Sequence, residues 1–173
     1  AEINAIDFAI YQQAMYRLSE FIEFNPYIPV RNIHIFSDHF DPIIYLGGLL
    51  TAIFGKSPYL LTFLEWSFFA GLFGFCFYVY SKKHMTTEHL YLAILLIASS
   101  RSLLLGVEFP LHATTWSMLP AFILGYALAK ENFRWVTFSS LALFFFRETY
   151  SLLIVFVSLY YLYRKEYRRF ALL

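Results

Sequence analysis

From Pro58 to Tyr80 the chain runs through 23 residues with one charged side chain, Glu65. At 1.5 Å per residue a helix of that length reaches about 35 Å, enough to cross the roughly 30 Å hydrocarbon core of a bilayer. Four more apolar segments follow: Leu90–Leu105, Trp116–Ala129, Trp135–Phe146 and Tyr150–Tyr163. They are shorter, so each needs flanking residues, local bilayer thinning or protein neighbours to span. Composition agrees with a membrane environment. The 173 residues are 60% hydrophobic, 22% aromatic and only 14% charged, with a mean hydropathy of +0.57. Soluble domains average about 45–50% apolar and about 25% charged.

Basic residues sort the segments. Lys82/Lys83, Lys130/Arg134 and Arg164/Lys165/Arg168/Arg169 form three clusters at segment ends. With five crossings from Pro58 onward, all three fall on one side, which the positive-inside rule makes cytoplasmic. The loops carrying Asp38–Asp41, Glu108–Thr115 and Arg147-Glu148 then share the other side. A sixth apolar run, Ile43–Phe54, would move the first of these loops to the basic side if it crossed. It therefore reads as a short re-entrant or interfacial helix.

Ahead of it, Ile3, Ile6, Ile10, Ala14, Leu18 and Phe21/Ile22 recur at helical spacing, with Gln13, Arg17 and Glu20 on another face. That pattern predicts an amphipathic helix on a membrane surface or against a bundle. Asn25 to Pro42, broken by Pro26, Pro29 and Pro42, reads as a structured loop without strand-like alternation. The expected fold is all-α: a polytopic membrane helical bundle of about five crossings plus the two interfacial helices. It forms a single membrane domain over 1–173, with an outer-face helix and loop in 1–42 and membrane helices in 43–173. Because the chain opens without methionine and closes on an apolar run, it reads as a fragment of a longer protein.

Net charge is +1, and no basic patch alternates with aromatics, so nucleic acid is not an expected partner; the bilayer is. The lone Cys76 excludes a disulfide within the chain and reads as a small buried hydrophobe. Chemistry is left to the groups on the non-basic face: Asp7 and Tyr11, the run Ser37 to Pro42, Glu108 and His112, and Arg147-Glu148. Asp41 before Pro42 has two readings, an N-cap for the following helix or a ligand-binding group. Asp38 and His39 have no such local role, and a divalent metal held by them is one reading of the Asp-His-x-Asp spacing. Arg147-Glu148 is either a turn snorkelling to water or a pair facing a cavity. His112 alone suits a hydrogen-bonded helix end as well as a ligand or base. Glu65 requires a partner or a place near the span's end.

The stretches "DFAIYQQAMYRL", "SDHFDPIIYLGGLLTAIFGKSPYLLTFLEW", "HATTWSMLPAFILGYAL" and "FRETYSLLIVFVSLYYLYRK" resemble the domain-of-unknown-function 2079 family of predicted prokaryotic membrane proteins. Asp38-His39-Phe40 is the most specific part of that likeness. The chain departs from the family pattern at Ala113-Thr114, where Pro-Glu is usual, at Thr149, where an acid is common, and at Glu65, where Gln is frequent. At a further remove the layout is similar to GT-C glycosyltransferases that use lipid-linked sugars. That similarity implies a GT-C-like core in a prokaryotic plasma membrane and inverting transfer from a polyprenyl-phosphate sugar at the outer face. It implies Asp7 as base, with Asp38 and His39 as further catalytic groups. Arg147, or a metal held by Asp38 and His39, would stabilise the departing phosphate. Tyr11, Asp41, Glu108, His112 and Glu148 would line the substrate site. A non-catalytic transporter or scaffold with an outer polar binding cluster is the alternative.

Overall fold

The computed structural model describes residues 2–38, 40–99 and 113–166. They are mostly helical, as expected. The helices are α1 (Glu2–Leu18), α2 (Ile35–Asp38), α3 (Ile44–Phe54), α4 (Tyr59–Ser81), α5 (Thr87–Ala98), α6 (Ala113–Trp116), α7 (Met118–Ala129), α8 (Phe133–Phe146) and α9 (Ser151–Tyr163). A 3-10 turn at Glu148–Tyr150 joins the last two. Among the described residues, α4 is the one helix long and apolar enough to cross a membrane by length and composition.

The amphipathic reading of α1 holds through Leu18. Ile10, Ala14 and Leu18 are buried, together with Met15, against α3. The contact is close because α3 presents Gly47 and Gly48 there: a Cβ on Gly48 would lie 2.7 Å from Leu18 Cβ. Phe21 and Ile22, expected to continue the apolar face, are exposed. The helix has already ended, with Phe21 in the left-handed region at φ 55°.

The loop after α1 contains a small antiparallel hairpin, β1 (Tyr27–Ile28) with β2 (Ile33–His34). Two-residue strands are too short to leave an alternating pattern. Pro29 at the second position of its turn, where Arg31 N–H donates to Ile28 O at 3.2 Å, fixes the reversal. Asn32 follows at φ 56°, a conformation asparagine tolerates. Asn25 ties the hairpin down through its carbonyl to His34 Nδ1 (2.7 Å) and through its side-chain oxygen, which accepts from Phe36 N–H (3.1 Å).

Two later helices begin earlier than their apolar runs because polar caps start them. The Thr86 hydroxyl accepts from His89 N–H, and the Asn132 side chain accepts from Trp135 N–H, each at 3.4 Å. Helices α4, α7 and α9 end alike. Lys83, Glu131 and Lys165 take left-handed φ values of 56°, 53° and 59°. The residue after each donates its N–H back across the last turn: His84 to Val79 O, Asn132 to Ala127 O, and Glu166 to Tyr161 O. These are Schellman ends built without glycine. Lysines and arginines at these ends oppose the negative pole of each helix dipole. Arg164 pairs with Glu131 at 3.0 Å, and His84 Nδ1 bonds the Tyr126 hydroxyl, so the described residues of the three basic clusters gather at one end of the bundle.

The helices pack around apolar clusters, yet many large apolar side chains remain on the outside. Asp41, Thr51, Glu65, Thr115, Ser117, Ser139 and Ser140 are buried, while Phe63, Trp66, Leu95, Phe138, Leu152 and Phe156 are exposed. Soluble monomers rarely expose contiguous apolar surface on this scale. Hydroxyl side chains between helices are usual where helices pack within lipid.

Candidate functional site

At the end opposite the basic clusters, three segments distant in sequence meet around Asp41. Asp41 is 3% exposed. The Tyr11 hydroxyl of α1 donates to Asp41 Oδ2 at 2.8 Å, and Arg147 Nε lies 3.9 Å from Oδ1. The backbone reinforces the junction. Ile43 N–H donates to Phe145 O at 2.7 Å, satisfying a carbonyl at the end of α8, and Phe40 N–H donates to Glu148 Oε2 at 3.0 Å. Arg147 itself is extended, with φ −167° and ψ 144°, so the chain turns a corner there between α8 and the 3-10 turn.

This geometry bears on the capping reading of Asp41. Helix α3 starts at Ile44, two residues past Pro42, and carries no side-chain cap. The Asp41 backbone carbonyl accepts from Ile44 N–H at 3.1 Å, while its carboxyl group turns away to Tyr11 and Arg147. Arg147-Glu148 likewise is more than a solvated turn. Arg147 points inward to Asp41 with 23% of its side chain exposed, and Glu148 holds the loop backbone.

Beneath this junction lies a second buried pair. Glu65, 2% exposed within α4, accepts from the Thr115 hydroxyl at 3.0 Å. Next to Thr115, the Trp116 ring stacks on Phe68 at 5.5 Å, and Phe68 meets Phe146 edge-on at 5.4 Å. The Tyr150 hydroxyl bonds the Ser117 hydroxyl. Neither Tyr150 nor Ser117 is among the site residues expected from the sequence. Their hydroxyls become legible only once α6, α7 and the 3-10 turn are side by side.

The remaining expected residues are placed less fully. Asp7 lies on α1, four residues before Tyr11. Asp38 closes α2, three residues from Asp41. His39, Glu108 and His112 lie outside the described residues. Among the described residues no group of three or more His, Cys, Asp or Glu is placed to hold a metal ion. Cys76 is buried in the apolar contact between α4 and α5.

The chain matches no protein-family model, no curated protein and no solved structure.

Proposed function

We propose that this chain is a polytopic integral membrane protein of the domain-of-unknown-function 2079 type. In this reading it transfers a sugar from a polyprenyl-phosphate carrier at the non-cytoplasmic face, as GT-C glycosyltransferases do. The many large apolar side chains left exposed on the helices support the membrane part of the reading. Helix α4 spans the bilayer by itself, and α5, α6–α7, α8 and the 3-10 turn with α9 cross with help from neighbours and a locally thinned bilayer. The basic ends face the cytoplasm and the Asp41 junction faces outward.

The observation that carries the chemical part is the meeting of α1, the Asp38–Asp41 loop and the Arg147-Glu148 corner around one buried carboxyl group. Asp7, one turn from Tyr11, takes the proton of the acceptor hydroxyl. The acceptor oxygen then bonds the anomeric carbon with inversion, and the bond to the carrier's phosphate oxygen breaks to release polyprenyl phosphate. Arg147 supplies positive charge near the departing phosphate, and Asp41 positions Arg147 rather than reacting. A divalent cation would find donors in Asp38 and His39 and would neutralise the same phosphate.

A second reading is favoured by one specific feature: Asp41 and Glu65 are held by internal partners, as in a junction that only fixes helices in place. That suits a scaffold or a solute-binding transporter. A transfer assay with radiolabelled polyprenyl-phosphate sugars on the full-length protein separates the two. The enzyme reading expects turnover in the wild type and its loss, by at least about a hundredfold, in Asp7→Asn. Wild-type turnover that persists in both Asp7→Asn and Asp38→Asn, or none with any donor, refutes it and leaves the scaffold.

A further inference from the structure

The basic end of the bundle holds a cavity of about 550 Å³ between the α4–α5 turn and the α7–α8 turn. It lies within the range of roughly 300–1,000 Å³ typical of small-molecule sites. Its walls are apolar and aromatic, from Phe75, Tyr78, Ile123 and Trp135, and its rim carries His84 and Lys130. Lys82 adds a second ammonium group above the Tyr78 ring at 5.6 Å. Among the described residues no carboxylate lines the cavity, and the neighbouring Glu131 is paired with Arg164 at 3.0 Å. Asn132, also on the wall, starts α8 here, which adds the positive pole of that helix.

We infer that this cavity binds the anionic phosphodiester headgroup of a membrane glycerophospholipid, with the lipid's acyl chains running down α8. The rim matches the headgroup in sign, and the aromatic walls suit its glycerol carbons. What selects a lipid over a free phosphate is the surface leading out of the cavity. Trp135, Phe138, Leu141 and Phe145 are exposed in sequence along α8 at three- and four-residue spacing, a continuous apolar track from the rim into the hydrocarbon depth. A soluble phosphate would leave that track unused. Basic pockets between helices on the cytoplasmic side are general sites for anionic headgroups. The site is separate from the Asp41 junction, and the inference rests on the reading of these helices as membrane-spanning.

The test uses the full-length chain, first mixed with phosphatidylcholine liposomes and extracted with alkaline carbonate. A chain that washes off overturns the membrane reading and this inference together. For a chain that stays, native mass spectrometry from neutral detergent follows binding of dioleoyl phosphatidylglycerol. Expected is one saturable adduct, stronger than with dioleoyl phosphatidylcholine and not displaced by glycerol 3-phosphate. His84→Gln with Lys130→Gln weakens it by roughly fivefold or more. Ile123→Trp, which fills the cavity and leaves the rim charges, also weakens it. Lys165→Gln, at the same end but off the cavity wall, leaves it unchanged. Equal binding of the two lipids, displacement by glycerol 3-phosphate, or equal loss in Lys165→Gln overturns the site while leaving the membrane reading intact.

Discussion

The Asp41–Arg147 contact makes a sharp forecast for a double-mutant cycle. Asp41 is almost wholly buried and Arg147 is about a quarter exposed, with Nε and Oδ1 3.9 Å apart. Removing one partner of a fully buried ion pair costs about 3–5 kcal/mol, because the other is left uncompensated. The long separation and the partial exposure of Arg147 place this pair below that range, at about 2–3 kcal/mol for Arg147→Met or Asp41→Asn alone. Tyr11 still donates to Asp41 after Arg147 is lost, which further limits the damage. The double variant therefore costs less than the sum of the singles, by about 1–2 kcal/mol. The assay is loss of the folded, monodisperse species on titration with sodium dodecyl sulfate in mixed micelles, followed by size-exclusion fluorescence and circular dichroism. Strict additivity, within about 0.5 kcal/mol, would show that the two side chains stabilise the fold independently. The description of Asp41 as the residue that holds Arg147 would then be abandoned.

Gly48→Ala places a methyl group 2.7 Å from Leu18 Cβ, a contact no flexible side-chain end can relieve. It lowers stability in the same assay by about 1–3 kcal/mol. Gly47→Ala meets the flexible end of Met15 and costs less, so the reverse order would contradict the α1–α3 packing. The surface pair Glu20–Lys56, at 2.5 Å, ties the end of α1 to the loop before α4. The Lys56 hydrogen bond, and then its charge, hold the Glu20 carboxyl below its ordinary value of 4.5. Stability from this pair is thus fully present above pH 4.5 and is lost as pH falls through the lower, folded value. Acid titration of wild type against Lys56→Met shows a difference near neutral pH that closes in that acid window; a constant difference would refute the linkage.

Much of the helix layout was legible because apolar runs and charge clusters are local properties. The described parts of the five apolar segments and of Ile43–Phe54 are mostly helix, and α1 buries Ile10, Ala14 and Leu18 as their spacing required. Boundaries slipped where a cap lay outside the apolar run, as at Thr86 and Asn132, since a hydroxyl or amide three or four residues ahead carries no hydropathy signal. The site was legible only in part. Asp41 and Arg147-Glu148 stood out as charges beside apolar helices, but local rules gave Asp41 a capping role that the folded chain does not use.

What the sequence determined by itself is what depends on neighbours along the chain. Apolar length set the helices, prolines set the loop, and basic residues marked the helix ends that gather on one side. What only the tertiary structure decided is which polar groups satisfy one another across 30, 50 or more than 100 positions. Tyr11 meets Asp41, Thr115 meets Glu65, and Glu148 meets the Phe40 backbone. A buried carboxyl group must find a donor, and which donor it finds is fixed by how the helices pack, not by any residue near it in sequence.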